Sequence, residues 1–354
     1  MDNPTLSNLA PSRLALVWCL FFLICFSLGY PTLNRYAPDT AAATAEWPYA
    51  SLADTRYYSS IIENGFMEEP DSHWRYRVLV PYVAKPFYML SKGNIGSWNP
   101  IFFSLLMTNS LFVASAALFL FLTGAAVTGS KTVGFISSLL CLCHFNISNL
   151  YLSGLVDSSE LFVMIFTAWL VSQQKWRALP LVAVLAFLSR ETTVIFSSGL
   201  AFFWVMVDVG RGDYRRPEIF SILFYIFSGL AIGLGGLMLL HYVGTTELVM
   251  PWNFGAKSGL SSASLDVGMK ALMSSKGVIY SFIWLLPLGL LGIRSIPKNW
   301  LWSSVLLTGV ALALIVIANA GDNAGRPLFN TSGPMLLVAA AVYITKLLKL
   351  ERSS

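Results

Sequence analysis

The stretch 100–123, PIFFSLLMTNSLFVASAALFLFLT, runs for 24 residues without one charged side chain. As a helix rising about 1.5 Å per residue it matches the roughly 30 Å hydrocarbon core of a bilayer. In lipid a single segment can satisfy all its own backbone groups only as a helix, so the stretch reads as a transmembrane span. Nine more apolar stretches flank it, at about 14–30, 132–150, 156–173, 178–189, 192–209, 219–243, 277–293, 300–319 and 328–347. The chain therefore reads as one all-α integral-membrane domain, 1–354, with about ten transmembrane helices. The stretches 178–189 and 192–209 are short, and form either two helices meeting at Arg190 and Glu191 or one long broken helix.

Composition agrees with this class. Hydrophobic residues make up 56% and charged residues 12% of the 354, and mean hydropathy is +0.65. A soluble domain would have far more apolar surface than one core could hide. Residues 14–28 imitate a secretory signal, but their apolar run is long and the small residues Ala41 to Ala45 lie too far beyond it, so an uncleaved first helix is expected. Cys19, Cys25, Cys141 and Cys143 all fall within spans, where they read as small packing residues.

Lys and Arg accumulate in the cytoplasmic loops of membrane proteins. With the amino terminus inside, that side carries twelve basic and five acidic residues, a net of +7, which leaves −2 outside for a chain of formal charge +5. Both termini are then cytoplasmic, in the inner membrane. The basic residues are spread thinly over loops and tails, so the positive charge is no nucleic-acid signature.

Two outer segments are long enough to hold structure. The first outer loop, 31–99, begins Pro-, Ala- and Thr-rich and changes at Leu52 into a helical pattern that Asn64 and Gly65 would end. Residues 73–90, HWRYRVLVPYVAKPFYML, read as a helix lying on or dipping into the membrane surface. The second outer loop, 244–276, is rich in Gly and Ser and reads as a flap or a connector.

The polar residues sort to one side. Asp54, His73, Arg75, Arg77, Arg190, Glu191, His241, Asp322 and Arg326 all fall at or near outer helix ends. A charge at the bilayer centre costs about 2.5 to 3.5 kcal/mol on insertion scales, which makes charges there functional-site candidates. Each also has a plainer reading. Asp54 suits a helix amino terminus, where an acid stabilises the dipole. Arg75 and Arg77 suit lipid headgroups, and Arg190 and Glu191 suit a structural ion pair. Asp157 and Glu160 read as helix caps or as cavity lining, and His144 as a packed interior residue. No histidine pair has zinc spacing and no glycine-rich nucleotide loop follows a strand pattern.

Four segments carry a family resemblance. ADTRYYSSIIENGF (53–66), YRVLVPYV (76–83), FLSRETTVIF (187–196) and GDNAGRPLFNTSGPML (321–336) resemble parts of bacterial GT-C type integral-membrane glycosyltransferases. The resemblance implies transfer of a sugar from a polyprenyl-phosphate donor to a glycan or lipid acceptor on the extracytoplasmic face. It also implies an acidic general base in the first outer loop, which falls here on Asp54. Relatives often carry paired acids in that loop and Asp54 has no acidic neighbour, so a divalent metal is possible but no motif indicates one. Arg75, Arg77, Arg190, Glu191, His241, Asp322 and Arg326 complete the candidate substrate site. The alternatives are a transporter or flippase of lipid-linked glycan, or a glycan polymerase.

Overall fold

The computed structural model describes residues 10–36, 54–65, 76–96, 99–212, 214, 216–248, 265–317 and 324–349. Arg75 and Asp322, with His73, lie outside the described residues. Among those described every regular element is helical.

The chain begins with α1 (Pro11–Tyr36), followed within 31–99 by α2 (Thr55–Asn64) and α3 (Leu79–Ser91). α2 stops at Gly65, whose φ of +100° is left-handed territory that glycine occupies at little cost, and the Gly65 N–H closes on the Ile61 carbonyl at 3.0 Å. α4 (Pro100–Thr128) starts where Asn99 accepts from the Ile101 and Phe102 N–H groups at 2.9 and 3.3 Å, with Pro100 at the first helical position.

The stretch expected as one span at 132–150 is divided. α5 (Lys131–Leu142) ends early, and a π-helical turn (Ile147–Tyr151) follows. The cause is local: His144 Nδ1 accepts the Asn146 N–H at 3.2 Å, which gives the backbone a partner other than the helix ladder, and His144 Nε2 donates to the Ser281 carbonyl at 2.8 Å.

Next come α6 (Asp157–Ser172), α7 (Leu179–Ser189), α8 (Glu191–Gly210) and α9 (Arg216–Thr245). α7 and α8 are separate helices joined by one extended residue, Arg190, at φ −166° and ψ 147°. Gly229 of α9 lies against the Leu179 carbonyl and Gly236 against Phe187, while Gly233 lies against Val194. α7 thus packs directly on α9 and parallel to it, and α8 runs in the opposite sense to both.

The chain finishes with α10 (Leu265–Ser274), which falls at the end of the segment 244–276, then α11 (Lys276–Phe282), α12 (Leu285–Gly292), α13 (Lys298–Ile317) and α14 (Gly325–Leu347). Six helices, α1, α4, α8, α9, α13 and α14, are each long and apolar enough to cross a membrane, and the pair α11 and α12, bent by 42°, makes a seventh. α5 and α7 are shorter apolar helices, and α6 has 16 residues.

The bundle is arranged around α14. Its apolar window is 83% buried, against 17% for α1, so α14 is the axis and α1 a flank. The main core, with Tyr151, Trp300 and Phe329 among its largest buried side chains, wraps this axis. Large apolar side chains also face outward, Leu16, Phe220 and Met273 among them. A surface of that kind is compatible with a bilayer as solvent.

Candidate active site

The polar residues gather where α6, α8 and α14 begin and α7 ends. Asp157 opens α6, and the residues after it anchor that turn: Ser158 Oγ donates to Asn109 Oδ1 of α4 at 2.5 Å, and Ser159 Oγ shares a hydrogen bond with Ser189 Oγ of α7 at 2.6 Å. Just upstream, Gly154 at φ +90° bends the chain so that Thr55, the first residue of α2, packs against it. The bend brings Asp54, which is half-buried, to the same end of the bundle.

Asp157 holds two arginines, one on each oxygen. Arg326 Nη1 donates to Oδ2 at 2.9 Å and Arg190 Nη1 to Oδ1 at 3.3 Å. Arg190 also reaches Glu160 Oε2 at 3.3 Å. Arg190 and Glu191, adjacent in sequence, do not pair with each other in this arrangement. Glu191 instead receives Arg77, which donates from Nη2 at 2.6 Å and from Nε at 3.2 Å in a two-pronged fork. Three arginines and three carboxylates thus form two neighbouring groups of ion pairs, Arg77 with Glu191 and Arg190 and Arg326 with Asp157 and Glu160, close enough that Arg190 acts electrostatically on Glu191 and Arg77 on Asp157. The partners are up to 169 residues apart.

Tyrosines extend the network. Tyr58, on α2 and 1% exposed, lies close to Arg77 and feels its charge and those of Asp157 and Asp54. Burial pushes its phenol up to about 12, although Arg77 pulls the other way, so it is neutral at physiological pH. Burial also works against the Arg77 charge, but Glu191 and then Tyr58 hold it, and its pKa sits well above the ordinary range. Tyr151, presented by the π turn, donates to Asn330 Oδ1 of α14 at 2.7 Å. His241, near the end of α9, is hydrogen-bonded through Nδ1 to the Tyr76 hydroxyl, so it stands beside Arg77.

The network is not fully satisfied. Glu160 Oε1 and Arg190 Nε are buried with no hydrogen-bond partner among the described residues. The two arginines on Asp157 are also the ones that reach the surface, with side chains 20% exposed for Arg190 and 18% for Arg326. Among the described residues no group of three or more His, Cys, Asp or Glu is spaced to hold a metal.

No family model matches this chain, and no curated protein or solved structure matches it. What the site can do follows from its own residues.

Of the candidates read from sequence, Arg77, Arg190, Glu191 and Arg326 meet at one end of the bundle in two neighbouring ion-pair groups, Asp54 lies near them beside Tyr58, and His241 reaches their edge through Tyr76. Asp157 and Glu160 turn out to be its central carboxylates rather than caps alone. They carried a signal that could have been weighed more heavily: two acids three residues apart open an otherwise apolar helix, and buried acids demand cationic partners. Tyr58, Tyr151 and Asn330 carried no such signal.

Proposed function

We propose that this chain is a membrane glycosyltransferase of the GT-C type, which moves a sugar from a polyprenyl-phosphate donor to a glycan or lipid acceptor. The observation that carries this reading is the convergence of Arg77, Arg190 and Arg326 with Asp157, Glu160 and Glu191 at one end of the bundle, beside Asp54. In the wider reading α5, α6 and α7 complete about ten crossings, both termini are cytoplasmic, and the site lies at the outer face of the inner membrane.

The roles divide by geometry. Arg77 is already matched fork to fork by Glu191, so its work is to hold the approach to α3 against α8. Arg190 and Arg326 are better suited to the donor phosphate. They are partly exposed, Arg190 contacts its carboxylates only at 3.3 Å, and its Nε has no protein partner. A phosphate oxygen can take up donors that the carboxylates hold loosely.

In the reaction the acceptor hydroxyl gives its proton to the Asp54 carboxylate as its oxygen bonds to the sugar's anomeric carbon. The bond from that carbon to the donor phosphate breaks, and its electron pair leaves with the polyprenyl phosphate. Arg190 and Arg326 neutralise the negative charge that grows on the leaving phosphate. Tyr58, a neutral phenol close to Asp54 and Arg77, is a neighbour of the site rather than a second base.

The test uses purified protein and a panel of polyprenyl-phosphate-linked sugars. Asp54→Asn is expected to lower kcat by about 10²- to 10⁴-fold, the usual range for a lost general base, with the thermal unfolding midpoint unchanged. Full turnover by this variant would remove Asp54 as the base. Counterflow of lipid-linked glycan in reconstituted vesicles without new glycosidic bonds would select a transporter instead.

A further inference from the structure

A cavity among the described residues lies far from the charge network. It has a volume of about 590 Å³ and is lined by Gln174, Lys175, Arg177, Tyr214, Ser221 and Tyr225, with Trp176 beneath. It lies past the carboxyl end of α6 and beside the start of α9. α6 begins at Asp157 and has 16 residues, so the cavity is displaced from the network by about 24 Å along the helix axis. That distance approaches the thickness of a hydrocarbon core, and sets the cavity at the opposite membrane–water boundary.

Its backbone is unusual. α6 ends in a turn in which the Lys175 N–H reaches back to the Leu170 carbonyl at 2.8 Å and the Gln174 N–H to Val171 at 3.0 Å. Such a turn needs a left-handed residue, ordinarily glycine, yet Gln174 fills it at φ +55°. A non-glycine residue in that conformation is strained, and strain of this kind concentrates at ligand sites. Here the strained residue supplies a carboxamide to the cavity wall.

The electrostatics suit an anion. Lys175 and Arg177 are exposed, and neither is in an ion pair among the described residues. The Lys175 ammonium rests over the Trp169 ring, 4.3 Å from its centroid, which holds the charge in place without neutralising it. Among the described lining residues Glu218 is the one carboxylate beside Lys175 and Arg177, so their sum is positive. On the same turns of α9 that supply Ser221 and Tyr225, Phe220 and Phe224 point outward with 75% and 68% of their surface exposed, a strip against which acyl chains can lie.

We propose that this cavity binds the phosphate of an anionic phospholipid headgroup, with Lys175 and Arg177 as cationic contacts and Gln174 as a polar one. Basic pockets between helices at a membrane boundary are suited to such headgroups, and the volume falls in the range of small-ligand sites, roughly 300 to 1,000 Å³. This inference stands independently of the transferase reading.

The experiment titrates purified full-length protein in detergent with short-chain phosphatidylglycerol, and in parallel with phosphatidylcholine and inorganic phosphate, read by native mass spectrometry and thermal shift. Phosphatidylglycerol is expected to bind and raise the unfolding temperature. The surface variant Lys175→Gln/Arg177→Gln should weaken it about tenfold or more. Gln174→Gly, which relieves the left-handed strain, should leave the lipid-free unfolding temperature equal or higher and still weaken phosphatidylglycerol. Inorganic phosphate binding with the same dependence on Lys175 and Arg177 would support the phosphate site and make a soluble phosphate compound its source. Equal binding of phosphatidylcholine, or unaltered phosphatidylglycerol binding by the double variant, would overturn the proposal.

Discussion

Arg77 and Glu191 show how a buried charge pair behaves as one object. The Arg77 side chain is 9% exposed and that of Glu191 24%, and the two share a fork of hydrogen bonds. Desolvating two charges offsets much of their attraction, so the pair adds little net stability, whereas removing one partner strands the other. Arg77→Met is therefore expected to destabilise the protein by about 3 kcal/mol, and Glu191→Leu by a similar or smaller amount because Glu191 retains some solvent. The double variant should recover about 2 kcal/mol of the summed losses, read from unfolding in a denaturing detergent series. Additive losses would show that the fork is not an energetic unit. Arg77→Lys should rescue poorly, since an ammonium cannot reproduce the two parallel donors. Each residue was legible in sequence as a charge needing an explanation. Their pairing was not, because 114 residues separate them and hydropathy carries no information about which helix ends are neighbours.

Those neighbours are chosen by close packing between helices. On α12, a Cβ added at Gly292 would lie 1.8 Å from the Ala339 carbonyl oxygen of α14, and one at Gly289 2.8 Å from the Leu336 side chain. Two glycines three residues apart thus let the α12 and α14 backbones touch, the usual device for helix association in lipid. Gly325, one residue before Arg326, similarly meets the Gly277 carbonyl of α11, so the same seam sets the depth of Arg326. Gly292→Ala should push α12 from α14 at a cost of about 3 kcal/mol, while Gly309→Ala on α13, where a Cβ meets nothing within 4 Å, should be neutral or slightly stabilising. Equal thermal midpoints for the two variants would show that the seam is not tight. The contrast marks what sequence could yield. The start of α4 at Pro100 and the stop at Gly65 follow from local chemistry and were readable, although α4 runs five residues beyond the expected 123. The division of 132–150 depends on His144 meeting Ser281, and the role of Gly292 on Ala339, contacts across the bundle that no window of sequence contains.

For the molecule as a whole, the two polar ends differ in kind. Among the described residues, the network end sets Arg77, Arg190 and Arg326 against Asp54, Asp157, Glu160 and Glu191, whereas the cavity end sets Lys175, Arg177, Arg211 and Arg216 against Asp208 and Glu218. Between them α8 spans 20 residues, about 30 Å, with a mean hydropathy of 1.6 in its apolar window. A bundle built this way has one orientation in which excess positive charge faces the cytoplasm, and that orientation sends Asp54, Arg190 and Arg326 outward. Side-specific labelling checks it. In a background with Cys19, Cys25, Cys141 and Cys143 replaced, Asn94→Cys, in the exposed turn after α3, should react with an impermeant maleimide in intact spheroplasts. Lys298→Cys, at the exposed start of α13, should react only after permeabilisation. The reverse pattern would turn the charge network toward the cytoplasm, and labelling of both from one side would be incompatible with the alternation of α6 to α9.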